Sequence, residues 1–243
     1  MANKRSKAYR QAAEQYDRTK LFGLTDAVDL VKKHSFAKFD ETINLDIALG
    51  VDPRHADQMV RGTVVPPHGL GKSIRIVAIV SAEKEEEAKL AGADEVGGEE
   101  LVERIFKGWL DFEVVVTTPD MMRFVGKLGK VLGPRGMMPN PKVGTVTQNL
   151  AFAIKELRAG RLEYRVDKYG IVHLPVGKRS FKESQLVENI AVIMDAIIRA
   201  KPSSAKGNYL KSVTLSPTMG PGIRVETSVL RSEVDTIRGS MAV

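Results

Sequence analysis

The middle third of the chain restricts the fold most. Near-continuous Val and Ile runs, SIRIVAIV at 73–80 and FEVVVTT at 112–118, alternate with helix-patterned stretches, EKEEEAKLAGA at 83–93 and EELVERIFKGW at 99–109, with a short DEV between the helices. Runs without polar alternation fit strands covered on both faces, and an intervening helix lets successive strands lie parallel through right-handed crossovers. A small, doubly wound, Rossmann-like α/β unit follows. Gly92, Gly97 and Gly98 punctuate it, and TTPD supplies a turn and a helix start over Thr118–Asp120.

The flanks carry a different period. ETINLDIALGVD at 41–52 alternates Ile43, Leu45, Ile47 and Leu49, as a strand with one buried face does, and RLEYRVDKYGIVHLPVG at 161–177 reads as a hairpin turning at DKYG. An amphipathic helix over 183–200 leads through KPSSAKG to further strands, YLKSVTL at 209–215 and GIRVETSVL at 222–230. Neither flank alone has enough elements to close a core, so the two are expected to combine. The expected fold has two domains: a split α+β terminal domain with an antiparallel sheet and helices, built from 1–67 and 160–230, and the α/β domain inserted at 68–159. The linkers VVPPHGLGK and LRAGR, lying side by side, would make a hinge. Residues 231–243, polar and mixed in charge, are expected to form a mobile tail.

Several function classes are disfavoured early. No apolar stretch approaches the roughly 18–20 residues of a membrane helix, and the basic start has no apolar run after it, so neither anchor nor secretory signal is expected. There are no cysteines, and the four histidines, His34, His55, His68 and His173, show no metal-ligand spacing. No cofactor is expected. GLGKS at 69–73 invites a phosphate-loop reading, but Pro66 stands where the first glycine is required and the segment enters a strand; no GxGxxG occurs. A nucleotide-binding α/β enzyme therefore remains only as a disfavoured alternative.

Charge points to a polyanion. The net charge is +7, with the excess in residues 1–66 and 160–243 and none in between. Within the neutral middle, Met121 to Lys155 holds Arg123, Lys127, Lys130, Arg135, Lys142 and Lys155 and not one acid. GKVLGPRGMMPNPKVGT at 129–145 belongs to that run: its glycines allow close backbone approach to phosphate, and Met137 with Met138 is expected to pack under the loop. In the flanks, AKFDET at 37–42 sets Lys38 and Phe39 before an edge-like strand, and SPTMGPGIR at 216–224 is a short inter-strand loop. A lysine beside an aromatic ring and a flat Thr-Met-Gly turn both suit a ribose-phosphate backbone.

These segments together, with GVDPRHADQMVRGTVVPPHGLGK at 50–72, AGADEVGGEE at 91–100, GKLGKVLGPRGMMPNPKVGTV at 126–146, DKYGIVHLPVGK at 167–178 and LSPTMGP at 215–221, resemble the large-subunit ribosomal protein L-one family, bacterial type. The resemblance covers about 4–228. It implies a non-enzymatic, ribosome-bound cytoplasmic protein, monomeric when free and without a membrane partner. Its terminal domain would bind 23S rRNA, and the protein would form the mobile stalk involved in release of deacylated tRNA from the exit site. It also implies repression of its own operon by binding the mRNA. Carried over motif by motif, the rRNA contacts are Lys38, Phe39, Thr42, Lys168, Ser212, Thr218, Met219 and Gly220. Lys127, Lys130, Arg135 and Lys142 form a second nucleic-acid surface.

Overall fold

A computed structural model describes residues 6–241, without the side chains of Lys142, Ser240 and Met241. In chain order the first elements are α1 (Lys7–Glu14), α2 (Leu24–Lys33), β1 (Thr42–Leu49) and β2 (Arg61–Val64). Next come β3 (Ile76–Ile79), α3 (Glu85–Leu90), β4 (Glu95–Gly97), α4 (Glu99–Phe106), β5 (Val114–Thr117), α5 (Met122–Val125), α6 (Gly129–Leu132) and α7 (Leu150–Arg158). The chain ends with β6 (Leu162–Arg165), β7 (Ile171–Lys178), α8 (Glu183–Arg199), β8 (Leu210–Pro217), β9 (Ile223–Val225) and α9 (Thr227–Met241). The fold is mixed α/β. Two compact units are present: residues up to Gly71 together with those from Leu162 onward, and Lys72–Arg161 between them in sequence.

The discontinuous unit is built on an antiparallel sheet ordered β7-β1-β8-β9. Ile43, Leu45, Ile47 and Leu49 of β1 all face one core, where they meet Leu24, Val28 and Val31 of α2 and Leu186, Ile190, Ile193 and Ile197 of α8. β1 is not the edge strand that its sequence context suggested; it is hydrogen-bonded on both sides. Its partners are separated from it by most of the chain, which local patterning cannot reveal. β6 likewise does not pair with β7 as a simple hairpin, because it joins β2 in a separate two-stranded sheet. The DKYG turn itself is present: Asp167 accepts the N–H groups of Ile171 and Tyr169, and these bonds hold its carboxyl below the usual aspartate range.

A fully buried Asn189 on α8 straps the linker that follows β2 to the discontinuous unit. Its Oδ1 accepts the His68 N–H at 3.1 Å, while its Nδ2 donates to the Gly69 carbonyl at 3.0 Å and to that of Val176 at 2.8 Å. An amide satisfied on both ends in a core is worth keeping; left half-paired it would cost more than an apolar residue.

The inserted unit has a parallel sheet ordered β4-β3-β5. Val77 and Ile79 face a core with Leu101 and Ile105 of α4, whereas Ile76, Ala78 and Val80 face a second core with Ala88 of α3 and Ile154 of α7. Two-sided burial explains why β3 reads as an unbroken apolar run.

The C-terminal segment departs from the sequence reading. Strand β9 stops at Val225 and residues from Thr227 form helix α9, not a mobile tail. Leu230 and Val234 are four positions apart on one helical face, and both are buried against the core shared with α8. Two apolar anchors among polar neighbours give too weak a periodic signal to stand out. Leu230→Ala is expected to cost about 2–4 kcal/mol in urea unfolding. Val229→Ala, at an exposed neighbour, should change stability by less than about 0.5 kcal/mol.

Candidate nucleic-acid interface

One end of the open sheet is a tightly organised corner. Past Pro217 the Thr218 hydroxyl takes over the ladder: it accepts the Thr42 N–H at 3.1 Å and donates to the Thr42 carbonyl at 3.1 Å. Beneath lies Glu41, fully buried, its carboxylate accepting the N–H groups of Ala37 at 2.6 Å and Met219 at 3.1 Å. One side chain thus fixes the AKFDET loop and the TMG turn to each other through charge-assisted hydrogen bonds. Asp40 is tied to Ser180 through both its N–H and its hydroxyl, and Lys178 donates to the Thr42 hydroxyl at 2.9 Å. Gly220 is required by crowding, since a Cβ there would stand 2.5 Å from Pro217 Cγ and 3.0 Å from the His34 carbonyl.

With its polar groups committed inward, the corner turns other atoms outward. Phe39 is 54% and Met219 53% exposed, and Lys38 is exposed beside them. Two apolar side chains exposed side by side on an anchored backbone offer a preformed contact patch.

From this corner a polar surface runs along the sheet. The β1 side chains opposite the core are Thr42, Asn44, Asp46 and Ala48, paired with Ser216 across from Asn44, Thr214 across from Asp46 and Ser212 across from Ala48. Ser212, Thr214, Ser216 and Thr218 therefore form a row of short hydroxyls. Asp46 links three strands, with Oδ1 2.6 Å from His173 Nδ1 on β7 and Oδ2 3.4 Å from Ser216 Oγ on β8. Arg224 on β9, exposed and opposite Thr214, adds a cation at the margin.

The predicted residues fall into two groups on this unit. Lys38, Phe39, Thr42, Thr218, Met219 and Gly220 share the corner. Ser212 stands opposite Ala48, and Lys168 lies in the turn whose Gly170 carbonyl receives the Leu49 N–H, so both belong to the far end of β1. Six residue steps at ~3.4 Å each separate the ends by about 20 Å. Thr214 and Ser216 bridge the gap; the alternation SVTLSPT could have revealed them, as could the even spacing of Asn44 and Asp46 in TINLDI. Glu41 was missed because a carboxylate buried by backbone bonds looks, in sequence, like any surface acid.

In the inserted unit, Lys127, Lys130 and Arg135 are exposed, while the side chain of Lys142 lies outside the described residues. The loop they border is closed, not slack. Asn140 N–H donates to Thr145 Oγ1 at 2.8 Å, and Thr117 at the end of β5 donates to the Thr145 carbonyl and accepts from the Thr147 N–H. Gly136 and Gly144 adopt φ of 71° and 79°, and Met137 with Met138 packs against the α4-side core, as the loop-shaping reading required. GLGKS leads into β3 with no helix after Ser73, and Lys72 pairs with Glu113 at 3.3 Å. Among the described residues, no cluster of His, Asp and Glu is placed to hold a metal ion, and no helix is long and apolar enough to cross a membrane.

Replacing Glu41 by Gln leaves one acceptor for two N–H donors and turns an amide donor toward one of them. Urea unfolding of Glu41→Gln is expected to show a loss of about 1–3 kcal/mol, and undiminished stability would contradict the anchoring role.

The corner, the hydroxyl row and the whole inserted unit fall within residues 31–221, which match the model of the ribosomal protein L1p/L10e family. That match spans most of the 243 residues and reaches from α2 to the end of the TMGP turn. The chain belongs to the ribosomal protein L1p/L10e family and is a large-subunit ribosomal protein that binds rRNA.

Proposed function

We propose that the corner at 38–42 and 218–220, continued by the open face of β7-β1-β8-β9, is the primary rRNA contact. The observation that carries this reading is the row Ser212, Thr214, Ser216 and Thr218 ending beside exposed Phe39 and Met219. Folded RNA is read through backbone shape, 2′-hydroxyls and unstacked bases, and a flat hydroxyl-rich sheet with one aromatic ring at its edge meets those demands. Phe39 covers a base or ribose, Met219 packs beside it, and Gly220 lets the turn that carries Met219 sit tightly against Pro217 and His34. Ser212 exchanges hydrogen bonds with ribose and phosphate, while Thr42 and Thr218, bonded to Lys178 and to each other, offer RNA only the remaining Thr42 hydroxyl hydrogen and Thr218 lone pair. Lys38 and Lys168 neutralise phosphates at the two ends.

On this reading the protein is a non-enzymatic component of the mobile stalk, cytoplasmic and ribosome-bound, and monomeric when free. The inserted unit offers Lys127, Lys130, Arg135 and Lys142 to stalk rRNA or to deacylated tRNA leaving the exit site. Its acid-free run supports a phosphate-facing role. A surface that recognises shape accepts any RNA presenting that shape, which is the physical basis for proposing repression of its own operon through a mimic in the mRNA. The enzyme alternative has no phosphate cradle: the segment at 69–73 is held by Asn189 and runs into a strand.

Met219→Asp sets a carboxylate against RNA phosphates at an exposed side chain, leaving the backbone N–H that Glu41 uses in place. Its affinity for a 23S rRNA fragment should fall by about 1–3 kcal/mol in a gel-shift titration, and unchanged affinity of the folded variant would sink the corner assignment. Lys38→Ala should lower the slope of log K against log salt by about one. An unaltered slope would remove Lys38 from the phosphate contacts.

A further inference from the structure

The inserted unit carries a surface cavity that the reading above does not use. It lies between α4 and the α5 turn, with a volume of about 350 Å³, an apolar floor of Val102, Phe106 and Phe124, and a rim holding Glu99, Glu103 and Lys127. That is the size of small-molecule pockets. Phe106 is 65% exposed, so its ring stands in the wall without being consumed by the core. Phe124 is partly buried, with the Arg123 guanidinium 4.9 Å and the Lys127 ammonium 5.6 Å from its ring centroid.

We propose that this cavity is a stacking site for one unpaired nucleobase of single-stranded RNA, and that it selects bases bearing an exocyclic amine. The proposal rests on the reading of the basic face of the inserted unit as a second nucleic-acid surface. The cavity's rim balances Glu99 and Glu103 against Lys107 and Lys127, so the acid-free run that adjoins it sets the occupant. Phe124 and Lys127 open the stretch to Lys155 that contains no acid, so a chain of phosphates can run from Lys127 toward Lys130 while a base turns inward. The base stacks on Phe106 with its edge against Phe124, where every base has a suitable π-face. Selection comes from the opposite rim. Glu99 and Glu103, both exposed on α4, can only accept hydrogen bonds, so they favour the N6 amine of adenine and the N4 amine of cytosine. Uracil presents a carbonyl oxygen there and is repelled. Lys107, 3.9 Å from Glu103, steadies that carboxylate.

The test uses full-length protein carrying Met219→Asp, so that the primary corner is disabled, and fluorescein-labelled single-stranded (A)6, (C)6 and (U)6 at low salt. Anisotropy titration should show (A)6 and (C)6 binding more tightly than (U)6. Adding Phe106→Ala should weaken (A)6 and (C)6 by roughly 5- to 100-fold and erase the preference, whereas Phe106→Trp should keep both. Lys130→Glu should weaken all three hexamers alike. If Lys130→Glu weakens binding but Phe106→Ala does not, or if (U)6 binds as well as (A)6, the stacking site is overturned while the second surface stands. If no hexamer binds, the second surface itself fails and the cavity proposal falls with it; an apolar protein segment would then be the occupant to seek.

Discussion

Everything in the discontinuous unit depends on β1 receiving hydrogen bonds on both edges from strands that come much later in the chain. Asp46 meets His173 at a separation of 127 positions and Ser216 at 170. Only when β7 and β8 close on either side are Ile43, Leu45, Ile47 and Leu49 buried in one core, so the strand cannot be stable on local interactions. The loop-closure cost of pairings this distant grows only with the logarithm of loop length, so the inserted unit adds little to it. The same pairing that completes the core brings AKFDET against the TMG turn, and thus stability and the proposed RNA site share one set of contacts.

Glu41 shows how closely they are shared. A carboxylate taken out of water is expensive unless hydrogen bonds replace its hydration, and here the two bonds come from the two loops that form the corner. Thr218 works in the same direction, since its hydroxyl bonds both the N–H and the carbonyl of Thr42 across the strand pair. The motif residues therefore divide in two. Thr42, Thr218, Gly220 and Glu41 shape the backbone, while Lys38, Phe39 and Met219 face outward. A preorganised corner loses little freedom on binding, which suits the shape-reading contact proposed for it.

Much of this was legible in the sequence. The Val and Ile runs at 73–80 and 112–118 identified a parallel sheet, because burial on both faces removes the polar alternation that half-buried strands show. The period-2 pattern at 43–49 gave the buried face of β1, and the glycine and proline pattern around residues 133–141 marked a shaped loop with Met137 and Met138 beneath it. What escaped was long-range in origin. The central place of β1, the membership of β6 in another sheet and the Met219 bond that helps bury Glu41 depend on distant parts of the chain. The helix after Thr227 escaped for another reason: its stability comes from Leu230 and Val234 finding a ready-made core, not from a strong pattern of its own.

The most direct measurement is backbone amide chemical-shift mapping of the full-length protein on addition of a 23S rRNA fragment. Perturbations should concentrate at Thr42, Asn44 and Asp46 on β1, at Ser212, Thr214 and Ser216 on β8, and at Thr218 and Met219 of the corner. Perturbations confined to residues 121–142, with the open sheet unaffected, would contradict the assignment of the primary rRNA contact.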